Sequence, residues 1–168
     1  MALFEPIFET LNASGSRYVV VGGVAVVLHG HARLTADLDV AVDLAPEAAR
    51  AVIEALLASG LRPRAHVDAA DFADSSIRRR WLDEQGMRVF SLWDPDDPLR
   101  SVDLFVESPV DFEELYARSN EIDVGGISVR IASIPDLIDM KRRAGRPQDL
   151  DDIEALRVIE ERDGLGDG

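Results

Sequence analysis

Residues 18–40, YVVVGGVAVVLHGHARLTADLDV, set a glycine pair after a short apolar run and, beyond thirteen intervening residues, two aspartates separated by one leucine. Tyr18–Val21 has the composition of a buried strand, and Gly22 and Gly23 let the backbone turn at once into a short helix. The first N–H groups of such a helix are free to face an anion, which is half of a phosphate site. Asp37-Leu38-Asp39-Val40 alternates polar with apolar, so in a strand Asp37 and Asp39 project from one face, about 6.6 Å apart along the chain. The segment therefore asks for an α/β fold that presents carboxylates beside a glycine turn.

Two ionised carboxylates about 5 Å apart repel by roughly 3 kcal/mol at an effective dielectric near ~20. The apolar neighbours Leu38, Val40 and Val42 deny them much water, so a positive group is expected to offset the repulsion. A third acid, Asp103, lies in Ser101-Val102-Asp103-Leu104-Phe105-Val106, again alternating and strand-like. Asp37, Asp39 and Asp103 converging on one sheet face would suit Mg²⁺, a hard cation that takes one or two carboxylates together with waters and phosphate oxygens.

The glycine pair, the Asp37-Leu38-Asp39-Val40 step and the later Val102-Asp103-Leu104 resemble the hydrophobic-Gly-[Gly/Ser], Asp-x-Asp, Asp pattern of the DNA polymerase β-like nucleotidyltransferase superfamily. Within it the chain looks like the small bacterial nucleotidyltransferases related to AbiEii-type toxins and to aminoglycoside and lincosamide nucleotidyltransferases, over roughly residues 15–160. The resemblance implies an enzyme that moves a nucleoside monophosphate from an NTP to an acceptor hydroxyl and releases pyrophosphate, with one or two Mg²⁺ ions as cofactor. It implies Asp37 and Asp39 as metal ligands. Asp103 would complete the acceptor-side metal and take the hydroxyl proton, and Gly22 and Gly23 would hold the β- and γ-phosphates through backbone N–H groups. One departure is Gly23, which stands where many members carry serine, so a phosphate contact at that position comes from the backbone alone.

A second constellation spans Met140 to Asp152, MKRRAGRPQDLDD. By charge alone it places a cationic helix end beside an acidic helix start, which complements both helix dipoles. In the resembling family a lysine followed by an Arg-x-x-Asp-x-x-Asp run lies near the nucleotide, and Lys141, Arg146, Asp149 and Asp152 match that spacing. Lys141 would then neutralise the triphosphate, with Arg146 beside it and Asp149 or Asp152 orienting one of the two cations. Other groups read as local: Arg78–Arg80 as a solvated basic face, His29 and His31 as hydrogen-bonders, and Asp96 and Asp97 as turn residues.

A chain of 168 residues without cysteine is one domain that needs no staples, and it excludes disulfides, thiolate metal sites and cysteine nucleophiles. The net charge of −14 repels a phosphate backbone and argues against non-specific nucleic-acid binding. No basic leader precedes an apolar run, and no stretch approaches the length of a membrane span, so a cytoplasmic protein is expected.

Along the chain, helices are expected over 3–13, 23–29, from Pro46 to Gly60, 111–117, from Pro135 to Ala144, and from Asp149 or Asp151 to Glu161, with a basic helix or turn over 75–83. Strands are expected over 17–21, 38–42, 61–67 at an edge, 87–93, 100–106, 122–124 and 127–131, the last two joined by Gly125-Gly126 as a tight hairpin. The expectation is one α/β (α+β) nucleotidyltransferase domain over 1–162, a mixed sheet flanked by helices with a helical C-terminal end, and a frayed tail over 163–168. The rival is a non-catalytic nucleotide-binding partner, antitoxin-like or regulatory, on the same fold. The sequence leaves open the NTP and whether the acceptor is a small molecule, a tRNA or a protein. It leaves equally open whether a second copy or a toxin–antitoxin partner completes the molecule.

Overall fold

Helix-forming and strand-forming segments alternate in the order α1 (Glu5–Ala13), β1 (Tyr18–Val21), α2 (Gly22–Leu28), β2 (Leu38–Val42), α3 (Pro46–Ala58), β3 (Arg62–Pro63), a 3₁₀ turn (Ala69–Ala73), α4 (Ser75–Gln85), β4 (Val89–Trp93), β5 (Ser101–Phe105), α5 (Phe112–Arg118), β6 (Asn120–Val124), β7 (Ile127–Ile131), α6 (Ile134–Ala144) and α7 (Pro147–Gly166). The structure, a computed structural model, describes residues 1–166. The strands make one mixed sheet in the order β3-β4-β5-β2-β1-β7-β6. β2 runs parallel to β5 and β1 parallel to β7, and the other neighbours are antiparallel.

Register explains which face became core. Val20 pairs with Val40, Val40 with Leu104 and Leu104 with Phe90, and all four are fully buried. Trp81 of α4 stacks on Phe90 at 5.5 Å and 7°, and Phe72 of the 3₁₀ turn lies 5.6 Å from the same ring, so these elements cap that face with aromatic area. Because successive side chains point to opposite faces, the next row, Val21, Asp39, Asp103 and Ser91, faces away from that aromatic layer. The packing that buries one row thus presents the acids on the other.

The hairpin of β6 and β7 turns at Gly125 and Gly126, with φ of 63° and 89°, the left-handed pair that a two-residue turn requires. The expected edge strand over 61–67 shrinks to Arg62–Pro63, with one further backbone bond from Arg64 N–H to Ser91 O at 3.0 Å. α7 continues to Gly166, past the expected domain end at 162. Of the tail over 163–168, residues 167 and 168 lie outside the described residues. Arg78 is not part of a solvated face: it is 6% exposed and donates to the carbonyls of Phe72, Val106 and Leu44, tying α4 to the end of β5. Arg79 and Arg80 are exposed. His29 is a local hydrogen-bonder, with Nε2 2.8 Å from Ala132 O.

Candidate active site

Asp39 and Asp103 are register partners on the parallel strands β2 and β5, so their Cα atoms are separated by one strand spacing, about 4.8 Å. Asp37 precedes β2 and is exposed. Its Oδ1 accepts a 2.7 Å hydrogen bond from Ser101 Oγ, which ties the loop before β2 to the start of β5. Gly22 has φ +64°, and a Cβ there would lie 2.1 Å from Asp39 Oδ2. Both the left-handed backbone and the approach of the Asp39 carboxylate require glycine at that turn.

The two paired acids sit in an environment that resists their charge. Burial, then Asp103, then Asp37 push the Asp39 carboxyl up to about 7, and Arg146 and Lys141 only partly offset this. Burial chiefly raises Asp103 as well, with Asp37 adding to it, while a hydrogen bond from Ser91 and the charge of Arg64 work the other way. Neighbouring carboxylates that cannot comfortably ionise together signal a missing positive charge.

Opposite them, α6 and α7 meet through buried ion pairs. Lys141 is 5% exposed, with Nζ 2.6 Å from Asp152 and 3.3 Å from Asp149. Arg146 Nε lies 2.8 Å from Asp149 Oδ2, and the same oxygen accepts the Arg146 N–H at 3.0 Å. From the other side Arg33 Nη1 donates to Asp152. The result is an alternating chain, Arg33, Asp152, Lys141, Asp149, Arg146, in which burial alone would raise both carboxyls but the cations hold them below the usual carboxylate range. Burying Asp149 and Asp152 is tolerable only because each is paired. Lys141 joins the two helices, and Arg33 and Arg146 end the chain at the cavity wall.

That cavity, of about 510 Å³, brings together Asp37, Asp39 and Asp103 with Gly23, Lys141 and Arg146, and adds Arg33, Thr35 and Gln148. All of the sequence-selected residues except Gly22, Asp149 and Asp152 therefore line one space. Gly22 borders it through Asp39, and the two acids anchor its cations. A second cavity of about 690 Å³ also reaches Asp39, Gly22, Lys141 and Arg146, and extends over the apolar side chains of Val89, Phe105 and Met140. Arg33 and Thr35 escaped the sequence reading. The available signal was a basic and a hydroxyl residue in the short polar connection between a glycine turn and an acidic strand.

Among the described residues, no group of three or more His, Cys, Asp or Glu is drawn together to hold a metal ion. The donor chemistry of Asp39 and Asp103, hard oxygens whose charge Arg146, Lys141 and Arg64 only partly offset, nevertheless fits Mg²⁺, which needs only one or two carboxylates when water and phosphate complete its shell. No helix among the described residues is long and apolar enough to cross a membrane.

The model of a family described as "Nucleotidyltransferase of unknown function (DUF6036)" matches residues 1–164. No curated protein matches the chain. Among solved structures, the lincosamide antibiotic adenylyltransferase LnuA with lincomycin bound superposes with a TM-score of 0.63 at 17% identity, covering 94% of this chain and 96% of that one. An antigenic nucleotidyltransferase-like protein from Paracoccidioides brasiliensis gives 0.57 at 17% identity, covering 89% and 71%. The antibiotic-resistance factor ANT(2'')-Ia gives 0.54 at 18% identity, covering 94% and 80%. At such identities the likeness is one of fold.

Proposed function

The chain belongs to the DUF6036 nucleotidyltransferase family, and on that premise we propose that it transfers a nucleoside monophosphate from an NTP to a hydroxyl of a small molecule, with release of pyrophosphate. The register pairing of Asp39 with Asp103 on one open sheet face is the observation that carries this reading. Asp39 and Asp103, with Asp37 at the mouth, would hold Mg²⁺, which supplies charge neutralisation along the phosphates and a more acidic acceptor hydroxyl.

In the reaction, the acceptor oxygen forms a bond to the α-phosphorus as the bond from that phosphorus to the pyrophosphate oxygen breaks. Asp103, placed beside Asp39 by the strand register, would accept the hydroxyl proton. Arg146 would face the leaving phosphates, and Lys141, held between Asp149 and Asp152, fixes the acid that positions Arg146, so the cationic wall needs no rearrangement when charge develops. Gly22 and Gly23, at the turn into α2, would supply backbone N–H groups to the donor phosphates.

The acceptor class rests on two supports: LnuA and ANT(2'')-Ia are antibiotic-modifying or antibiotic-resistance proteins by name, and the larger cavity joins apolar side chains to the Asp39 end of the site. Its apolar side chains suit a hydroxylated molecule with an apolar body, beside which Arg88, Arg143 and Glu107 offer polar contacts. The test is to incubate the purified chain with each NTP, Mg²⁺ and a panel of hydroxylated small molecules, following pyrophosphate release and the mass of the adduct. Mg²⁺-dependent pyrophosphate release, abolished in Asp39→Asn and Asp103→Asn, is the expected result. NTP binding without turnover against any acceptor would instead favour a regulatory, nucleotide-binding protein.

A further inference from the structure

Gly23 has an ordinary backbone, unlike Gly22, so its lack of a side chain answers to space alone. A Cβ at position 23 would lie 2.6 Å from Thr35 Oγ1, 2.9 Å from Arg33 Nη2 and 3.2 Å from Thr35 Cβ. Two donors from the connection between α2 and β2 therefore fill the place beside the turn that a residue-23 side chain would claim.

Neither donor is used up by the fold. Arg33 spends Nη1 on Asp152 and Nε on Leu34 O at 3.2 Å, while Nη2 is the atom turned toward Gly23. The Thr35 hydroxyl makes one long contact, 3.4 Å to Asp37 O. Arg33 is 16% exposed on its side chain and its partner Asp152 1%, so the guanidinium is anchored at one end and open at the other. Both residues line the cavity that holds Asp37, Asp39 and Asp103. A planar guanidinium fixed by a buried carboxylate is pre-organised to grip phosphate oxygens at little further entropic cost.

We propose that Arg33 and Thr35 are further polyphosphate-binding side chains of this site, beside Arg146, and that Gly23 stays small to admit them. The inference rests on the nucleotidyl-transfer reading and names the residues that recognise its donor. Arg33 donates from Nη2, and Thr35 from its hydroxyl, to terminal phosphate oxygens, while Lys141 remains committed to Asp149 and Asp152.

The experiment is calorimetric binding of ATP, GTP, CTP and UTP, and of the matching monophosphates, each with Mg²⁺, to the wild type and to Arg33→Lys, Arg33→Gln, Thr35→Val, Gly23→Ser and Gly23→Ser/Thr35→Ala. For the NTP that binds, Arg33→Gln is expected to weaken affinity about tenfold or more and Thr35→Val about threefold to tenfold, with monophosphate affinity unchanged. Arg33→Lys keeps a charge for Asp152 but loses the second arm, and weakens NTP binding while preserving the melting temperature. Gly23→Ser loses NTP affinity, and adding Thr35→Ala does not restore it, because the hydroxyl is gone and Arg33 Nη2 still meets the new side chain. Unchanged NTP affinity in the Arg33 and Thr35 variants, or equal losses for NTP and monophosphate, would overturn the assignment while leaving nucleotidyl transfer standing. A wild type that binds no NTP would sink both.

Discussion

Asp152 sits between two cations, 2.6 Å from Lys141 Nζ on α6 and ion-paired to Arg33 from the connection before β2, so one buried carboxylate of α7 ties together three parts of the chain. Stability and donor recognition therefore share a residue, and the two can be separated by measurement.

The pH dependence of folding follows from that cluster. In the unfolded chain Asp149 and Asp152 titrate near 3.8, and in the folded chain their cationic partners outweigh burial and hold them lower. Their contribution is fully present above about pH 4 and is lost as pH falls through the lower folded values. Asp152→Asn should cost about 3 kcal/mol at pH 7, because it leaves Lys141 buried with one fewer partner, and should flatten the acid limb of the urea-unfolding profile. A wild-type-like acid limb in this variant would contradict the ion-pair account.

Asp39 has the opposite sign. Its folded value of about 7 lies above the unfolded 3.8, so the metal-free protein loses stability as pH rises from about 4 through 7. Asp39→Asn should raise metal-free stability by about 2 kcal/mol at pH 8 and by little at pH 4. Thermal melts in a chelator at the two pH values read the difference directly.

Turnover should respond to the same substitutions inversely. Asp39→Asn and Asp103→Asn are each expected to lower kcat by at least about a hundredfold, measured as Mg²⁺-dependent pyrophosphate release, with the fold intact by circular dichroism.

At the turn, Gly22→Ala meets both a left-handed backbone and the Asp39 carboxylate. It should destabilise by about 2 kcal/mol or more, read by chemical denaturation. A neutral result would show that the turn can open away from β2.

Arg78 offers a control outside the site. Its guanidinium donates to backbone carbonyls beneath α4, and Arg78→Lys cannot reproduce that geometry. A loss of about 1.5–3 kcal/mol in stability, with unchanged affinity of the folded protein for NTP, is the expected outcome.

Much of the fold was readable in the chain because local signals agree with one another. Alternation in Leu38–Val42 and Ser101–Phe105, the proline at the start of α3 and the Gly125-Gly126 turn each dictate one element and its ends. The glycine pair, the three aspartates and the Lys141 to Asp152 run were legible as chemistry, since phosphate and metal sites need those residue types wherever they sit. Arg78 and Arg33 show the limit. Arg78 reads as part of a solvated basic face and Arg33 is not singled out by the sequence, and only packing reveals that one is buried against carbonyls and the other anchored by Asp152, 119 residues away in the chain.

Local patterns along the chain specify a mixed α/β domain with carboxylates beside a glycine turn, because backbone preferences and hydrophobic period act over a few residues. Tertiary structure decided what those carboxylates face. The parallel pairing of β2 with β5 set Asp39 beside Asp103, and the docking of α6 against α7 converted Lys141 from a free cation into a buried strut. The connection after α2 brought Arg33 and Thr35 to the space that Gly23 leaves open. These are contacts between residues far apart in sequence, set by how whole elements pack, and no local pattern encodes them.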